Sequence, residues 1–332
     1  MAVIYIKEQG TSVQKKGGRI SVSKGGQSLM EFPVSNVEGI ALMGNVQVTA
    51  QALHFLLQQG IDISHYTYGG HYLGQTAAES SKNIFLRFSQ YELYNDKEKR
   101  LNFARNIVAN KIENQLSVIR NYRWEDYPQW KDDAEQISRT KQKIRSAEIA
   151  NELLGIEGMC SNIYFRAFGH MFRCDFEFHG RNRRPPRDPI NVIISLGYTF
   201  LTKEICSVLE AESFEPYLGF LHGIRYGRKS LALDMIEEFR QPVTDRMALK
   251  MFNKRMLSQY DFEMEEDRVV LSTDGFRKFC AEYEKWMTGK AAGAGSPGFR
   301  GIIRKQAACL KQCIQKGTEY VPFRLGGSEC ML

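Results

Sequence analysis

The sequence predicts an α+β protein, with a small N-terminal β-rich domain followed by a larger all-α C-terminal domain. Two observations along the 332 residues support this fold class. Residues 1–78 are rich in β-branched residues and are divided by glycine pairs, as in short strands joined by tight turns. From about residue 83, apolar residues recur at steps of three and four, which is typical of amphipathic helices.

Turn-forming residues divide the first domain into its elements. Gly17 and Gly18 predict a hairpin between SVQ and RISVS, and Gly25 and Gly26 separate the next strands. Residue Thr49 can cap a short helix, AQALHFLLQQ, because a threonine oxygen accepts bonds from the free N–H groups of the first turn. The segment IDISHYTYGGHYLGQ then predicts one more hairpin.

The second domain, residues 83–332, begins with long helices. Asp96 can cap the segment KEKRLNFARNIVANKIENQLSVIRNYRW, whose apolar residues form one stripe. We expect a second long helical segment over about 132–172, interrupted near Gly155 or Gly158 because glycine weakens a helix interior.

Shorter elements complete this domain. We predict a helix over NVIISLGYTFLTKEICSVLEAE, helices over about 244–258 and 272–288, and a short strand at VVL between them. The small residues of 289–298 predict a flexible segment. A basic amphipathic helix, FRGIIRKQAACLKQCIQKG, and a C-terminal tail follow.

Charge and composition narrow the function classes. The net charge of +7 suggests a polyanionic partner, although on charge alone a basic enzyme without such a partner explains it equally well. The sequence shows no signal-peptide pattern and no uninterrupted apolar run of membrane-spanning length, so we expect a cytoplasmic protein without a membrane partner. The seven cysteines are scattered, and Cys309, Cys313 and Cys330 lack a fourth ligand for zinc nearby, so we expect neither a disulfide framework nor a zinc site.

The segment LHGIRYGRKSLALDMIEEFR places unusual charge beside an apolar stripe. Ser230 can cap a helix beginning at Leu231, and Pro242 limits its far end. Asp234 and Glu237 are three residues apart and therefore lie on adjoining positions of one face. His222 is just upstream, across a glycine turn, and imidazole with carboxylates suits Mn²⁺ or Mg²⁺.

Taken alone, this segment is more readily explained by a structural histidine and a solvated helix face. Two further features favour a phosphodiester-cleaving site. The cations Arg225, Arg228 and Lys229 lie between the candidate ligands. A second odd carboxylate, Glu157, interrupts an apolar helical run, with Ser161 and Tyr164 on the same face.

A proline-stiffened loop, RNRRPPRDP, adds four arginines between these two segments. Arginine forks pair with phosphate oxygens, so the loop suits a DNA backbone, although a merely solvated basic loop is also possible. The candidate DNA contacts of the chain are therefore Arg181, Arg183, Arg184, Arg187, Arg225, Arg228 and Lys229.

Together these motifs resemble a known family. The order GIEG, then RNRRPPRDPIN, then GFLHGIRYGRKSLALDMIEEFR over residues 155–242 is similar to the CRISPR-associated integrase of spacer acquisition, the first Cas protein of the adaptation pair. The resemblance implies a metal-dependent DNA integrase and endonuclease. It assigns Glu157, His222 and Glu237 as catalytic ligands of one Mn²⁺ or Mg²⁺, with Asp234 either an alternative ligand or a support for them.

The resemblance also implies partners and a mechanism. Family members act as homodimers through the β domains and assemble with the second Cas protein of the pair. A 3′-hydroxyl of a foreign double-stranded DNA fragment attacks a phosphodiester at the edge of CRISPR repeat DNA. Because histidine ligates as the neutral imidazole, activity is expected to fall at acid pH. A stand-alone nuclease of DNA repair and a non-catalytic DNA-binding scaffold are the competing hypotheses.

Overall fold

The computed structural model describes residues 2–78, 83–182, 185–266, 268–289 and 297–326. Most of the predicted flexible segment 289–298, the last six residues, and the residues Arg183, Arg184 and Cys330 therefore lie outside the described part of the chain. The described cysteines are free thiols, as the sequence analysis predicted.

The first domain contains two four-stranded sheets and one helix. The elements are β1 Ala2–Ile6, β2 Thr11–Lys16, β3 Arg19–Lys24, β4 Gln27–Pro33, β5 Val37–Met43, β6 Val46–Val48, α1 Ala50–Gln58, β7 Asp62–Tyr66 and β8 Tyr72–Thr76. Sheet A has the strand order β1-β5-β7-β8, and sheet B has the order β4-β3-β2-β6. The predicted hairpins β2–β3 and β7–β8 are both present.

Local signals set these boundaries as predicted. Gly17 adopts a φ of 60°, a left-handed conformation that side chains disfavour, in the turn between β2 and β3. The Thr49 side chain accepts a hydrogen bond from Ala52 N and begins α1.

Strand β5 joins the two domains through its alternating side chains. Ile40 and Leu42 belong to the core of the β domain, whereas Ala41 and Met43 belong to the core formed with the helices. Because successive side chains of a strand point to opposite faces, both faces of sheet A are buried at β5. The helical domain is therefore packed directly against sheet A.

In the residues that the structure describes, the second domain contains helices and one β-hairpin. Its elements are α2 Ile84–Asn95, α3 Lys97–Asn121, α4 Trp130–Gln142, α5 Ala150–Gly169, α6 Pro189–Ala211, α7 Ser230–Ile236, α8 Arg246–Asn253, β9 Phe262–Glu265, β10 Arg268–Leu271, α9 Thr273–Met287 and α10 Gly298–Lys316. The predicted VVL strand is part of β10, which pairs with β9. The α+β fold class is confirmed.

The predicted interruption near Gly155 or Gly158 is wrong. Helix α5 continues through both glycines, and the chain instead breaks earlier, at a 3₁₀ turn over Lys143–Ser146. Each glycine costs a helix interior only about 1 kcal/mol. The packing of α5 against α3 and α4 outweighs that cost, because Ile156 and Cys160 beside the glycines are buried.

Helix α6 is apolar and long enough to cross a membrane by composition, but most of it is buried in the helical core. It is therefore a core helix of this domain. Its start is fixed by Asp188, whose side chain accepts a hydrogen bond from Asn191 N, and by Pro189 in the first turn.

The chain after α10 returns to helix α3. The Tyr320 hydroxyl and Phe323 N donate to the two oxygens of the buried Glu238, each at a distance of 2.6 Å. Asn110 and Asn114 of α3 donate to Phe323 O. Burial raises the pKa of Glu238 to about 8, against the opposing effect of these donors. This segment thus covers α3 beside the stretch after α7 that contains Glu237 and Glu238.

Candidate metal site and nucleic-acid interface

Glu157 lies in the middle of helix α5, where it is partly exposed. Its Oε1 accepts a 2.7 Å hydrogen bond from Ser161 Oγ, one turn further along the helix. Ser161 Oγ in turn accepts from Gln115 Nε2 of α3 at 3.0 Å. The predicted shared face of Glu157 and Ser161 is therefore present, and a hydrogen-bond relay from α3 orients the carboxylate.

Glu237 lies directly after helix α7 and is buried. Its Oε1 accepts from Arg240 Nε at 3.0 Å. Its Oε2 lies 2.5 Å from Lys111 Nζ but receives no hydrogen bond of acceptable geometry. Burial favours the neutral acid, but Arg240, Lys111 and His222 outweigh burial and lower the pKa of Glu237 to about 2. The side chain is thus a buried carboxylate whose Oε1 is held by Arg240 and whose Oε2 is paired with the Lys111 ammonium.

The two carboxylate oxygens of Asp234 are both engaged by contacts within the protein. Its Oδ2 accepts from Phe220 N at 2.5 Å and Leu221 N at 3.0 Å. Its Oδ1 accepts from His222 N at 2.9 Å and lies 2.8 Å from His222 Nδ1. A carboxylate has about four lone-pair sites, and these contacts fill them. Asp234 is completely buried, so the geometry favours a supporting role over direct ligation.

The contact with Asp234 also orients the ring of His222. The Asp234 carboxylate accepts a hydrogen bond from Nδ1–H, so that in a neutral imidazole the lone pair is on Nε2. This carboxylate–histidine arrangement is the one that commonly orients metal-ligating histidines. The backbone leading to His222 packs closely against Ser230 at Gly219. A Cβ atom at Gly219 would lie only 2.7 Å from atoms of Ser230.

The predicted ends of helix α7 need correction. Ser230 is the first residue of the helix, and its hydroxyl donates to Gly223 O at 3.1 Å instead of capping the helix. The α-helix ends at Ile236, and Pro242 lies within a π-helical turn, Arg240–Asp245. Because proline lacks an N–H, the carbonyl of Glu238 has no helical donor, and Asn114 Nδ2 donates to it at 2.9 Å.

Lys111 of helix α3 is the main site residue that the sequence analysis missed. Its ammonium contacts both Glu157 and Glu237, and its side chain is only 7% exposed. A signal was present in the sequence: Asn110, Lys111, Asn114 and Gln115 place two polar pairs four residues apart in a predicted core helix. All four side chains are buried.

The site residues suit a hard divalent cation. Two carboxylates and an imidazole nitrogen are ligands that Mn²⁺ and Mg²⁺ accept. The buried Oε2 of Glu237 receives no hydrogen bond of acceptable geometry and is paired with the Lys111 ammonium. In the described part of the chain, no three His, Cys, Asp or Glu side chains are as close together as metal ligands are. The Lys111 ammonium instead lies between the two carboxylates.

Asp245 connects the site to the core. Its carboxyl accepts from Tyr164 of α5 at 2.9 Å and from Tyr198 of α6 at 2.6 Å. The Arg240 guanidinium, which binds Glu237, lies 4.4 Å from the Tyr198 ring centre. Burial raises the pKa of Asp245 from 3.8 to about 6, although the two tyrosines and the arginines oppose it.

Asp245 should therefore make stability depend on pH. A raised pKa means that the folded state binds the proton more tightly, so this stabilisation is complete below about pH 3.8 and is lost as the pH rises through about 6. From about pH 4 to pH 7, we expect wild type to lose roughly 2–3 kcal/mol of unfolding free energy relative to Asp245→Asn. Urea unfolding at several pH values measures this difference, with the exposed Asp274→Asn as control. If the difference in unfolding free energy between wild type and Asp245→Asn does not change with pH, Asp245 does not have the raised pKa.

The candidate DNA contacts differ in exposure. Arg187 and Arg225 are exposed. Arg228 donates to Gly223 O and Ser230 Oγ, and Lys229 Nζ lies 2.8 Å from Glu210 Oε1. Arg181 turns inward, donating to Asn191 Oδ1 at 2.7 Å and Ser195 Oγ at 3.0 Å. Arg183 and Arg184 lie outside the described residues. Arg187 and Arg225 are thus the most accessible.

Comparison with known proteins identifies the family. The sequence model of the family described as CRISPR associated protein Cas1 matches residues 4–285. A "CRISPR-associated endonuclease Cas1 3" of Thermus thermophilus is 36% identical over 289 residues, covering 86% of this chain and 84% of the relative. These matches span most of the chain.

Solved structures give the same result. A CAS1 protein from Thermotoga maritima superposes with a TM-score of 0.84 at 26% identity, covering 98% of this chain and all of that one. A casposase bound to an integration product shares the fold, with a TM-score of 0.82 at 21% identity over 97% of this chain and 93% of the other. The chain belongs to the Cas1 family.

Proposed function

We propose that this chain is a metal-dependent DNA integrase and endonuclease that inserts foreign DNA fragments into a CRISPR array. In the proposed reaction a 3′-hydroxyl of the fragment attacks a phosphodiester at the edge of a repeat. One new P–O bond forms and one P–O bond of the repeat strand breaks. The number of phosphodiester bonds is unchanged, so the joining step needs no external energy source.

One observation carries the proposal: two carboxylates from separate parts of the chain, Glu157 of α5 and Glu237 after α7, face a single cationic group. Beside them, His222 is held by Asp234 with Nε2 free of that contact. Glu157, His222 and Glu237 would hold Mn²⁺ or Mg²⁺, and Asp234 would support His222. When bound, the ion supplies Lewis acidity to a phosphate oxygen and lowers the pKa of the attacking hydroxyl.

The protein's own residues would prepare this site. Arg240 holds Oε1 of Glu237, so that Oε2 faces the reacting region. Ser161 restrains Glu157, and Asp234 keeps the His222 ring in one tautomer. Such preorganisation favours the transition state because the groups need not rearrange during the reaction.

The exposed arginines suggest where the DNA backbone runs. Arg225 lies three residues from His222, and Arg187 lies in the arginine loop that precedes α6. We propose that these two side chains bind phosphates close to the reacting bond, with Arg228 and Lys229 beside them. Backbone contacts of this kind give affinity without reading base sequence.

We propose the partners from the family membership. The β domain of residues 1–78 would form a homodimer, and the helical domain from residue 83 would carry the site. The dimers would assemble with the second Cas protein of the adaptation pair in the cytoplasm.

A strand-joining assay tests this function. Purified protein and the second adaptation protein are mixed with Mn²⁺, a short duplex and a plasmid that carries a repeat. We expect joined product from a duplex with 3′-hydroxyl ends and none from one with 3′-dideoxy ends. Equal product from both duplexes would exclude attack by the 3′-hydroxyl. Cleavage that never requires the partner or the repeat would favour a stand-alone nuclease.

A further inference from the structure

Lys111 has an unusual position for a lysine. Its side chain is almost completely buried in the middle of α3, and its ammonium contacts Glu157 of α5 and Glu237 after α7. A buried ammonium is costly unless it is paired, and here two carboxylates provide the pairing. The ammonium also offsets the repulsion between these two carboxylates, because like charges close together repel one another.

The surroundings of Lys111 are built to support it. One turn later on α3, Asn114 donates to Glu238 O and Gln115 donates to Ser161 Oγ. Helix α3 therefore contacts the chain on either side of the site through its own buried polar face. These bonds hold α5 and the segment after α7 at a fixed distance from the lysine.

We propose that Lys111 is a positioning residue that takes the place of the divalent ion in the metal-free protein and competes with that ion for Glu157 and Glu237. This inference rests on the proposed metal site. By holding the carboxylates toward one point, the ammonium keeps the site assembled without metal. Because both cations attract the same oxygens, metal loading requires the ammonium to give up at least part of its pairing.

Two substitutions at Lys111 have opposite expected effects. Lys111→Met keeps the apolar stem but removes the charge, so Mn²⁺ should bind at least about tenfold more tightly while the metal-free protein loses thermal stability. Lys111→Arg keeps a cation with a planar fork that can bind both carboxylates, so Mn²⁺ should bind more weakly than to wild type. A purely structural lysine would not produce these opposite changes in affinity.

The experiment measures the Mn²⁺ dissociation constant by isothermal titration calorimetry, with melting temperatures recorded with and without Mn²⁺. Glu157→Gln is measured in parallel. We expect Mn²⁺ to raise the melting temperature of Lys111→Met more than that of wild type. Unchanged or weaker Mn²⁺ binding by folded Lys111→Met would overturn the proposal.

The parallel variant separates this proposal from the proposed function. If Glu157→Gln weakens Mn²⁺ binding but neither lysine variant changes it, Lys111 does not compete and only the present inference is wrong. If Glu157→Gln leaves Mn²⁺ binding unchanged, the metal site itself is wrong and both proposals are rejected. Should Lys111→Met fail to fold, the weaker binding expected of Lys111→Arg still decides the question, since unchanged affinity there rejects competition.

Discussion

Replacing Glu157 by Gln is expected to lower the rate of Mn²⁺-dependent strand joining by about a thousandfold or more. The change keeps the side-chain volume but removes one of the two negative charges that would hold the ion. An ion that stabilises the transition state contributes several kcal/mol, and each 1.4 kcal/mol corresponds to about a tenfold change in rate. Single-turnover joining with saturating DNA measures the loss.

A matched control separates charge at the site from charge in general. Glu135 is an exposed glutamate on α4, the helix packed against α5, where it pairs with Arg139. Glu135→Gln should leave joining unchanged, because an exposed ion pair contributes less than about 1 kcal/mol. DNA affinity, measured by fluorescence anisotropy, should be similar for both variants. If the joining rate of Glu157→Gln is within tenfold of the wild-type rate, Glu157 is not a catalytic residue.

Replacing Asp234 by Ala should damage both the fold and the site. Three backbone N–H groups, of Phe220, Leu221 and His222, would lose their acceptor in the protein interior. An unsatisfied buried donor costs about 1–3 kcal/mol, so we expect a destabilisation on the order of 4 kcal/mol. Urea unfolding at pH 7 measures this loss.

The same variant defines the role of Asp234 in metal binding. If Asp234 only orients His222, Mn²⁺ affinity in the folded variant should fall about 10- to 100-fold, the usual effect of removing the partner of a ligating histidine. A loss as large as that of Glu157→Gln would instead make Asp234 a direct ligand. Unchanged affinity would show that Asp234 does not position His222. Asp274→Ala, on the exposed face of α9, is the control.

Features set by local chemistry could be predicted from the sequence. Three such features are present: the turn at Gly17 and the helix caps at Thr49 and Asp96. Each depends on residues within four positions of one another. The family resemblance assigned Glu157, His222 and Glu237 to the site, and the structure brings Glu157 and Glu237 to the same ammonium. Their role as metal ligands is still a prediction.

Features set by tertiary contacts could not be predicted in the same way. Lys111 meets Glu157, 46 residues further along the chain, only because α3 packs against α5. The helix break near Gly155 was predicted from propensity, which a buried interface overrides. Ser230 was predicted as a cap, but its hydroxyl donates a hydrogen bond to the nearby carbonyl Gly223 O. Each error reflects a partner that sequence spacing does not reveal.

The central claim is that Glu157, His222 and Glu237 bind one divalent ion. Anomalous diffraction from a crystal soaked in Mn²⁺ tests it most directly. We predict one strong manganese peak in contact with both glutamates and with His222 Nε2, and the Lys111 ammonium displaced from between the carboxylates. A peak at other residues, with Lys111 still bridging Glu157 and Glu237, would contradict the account.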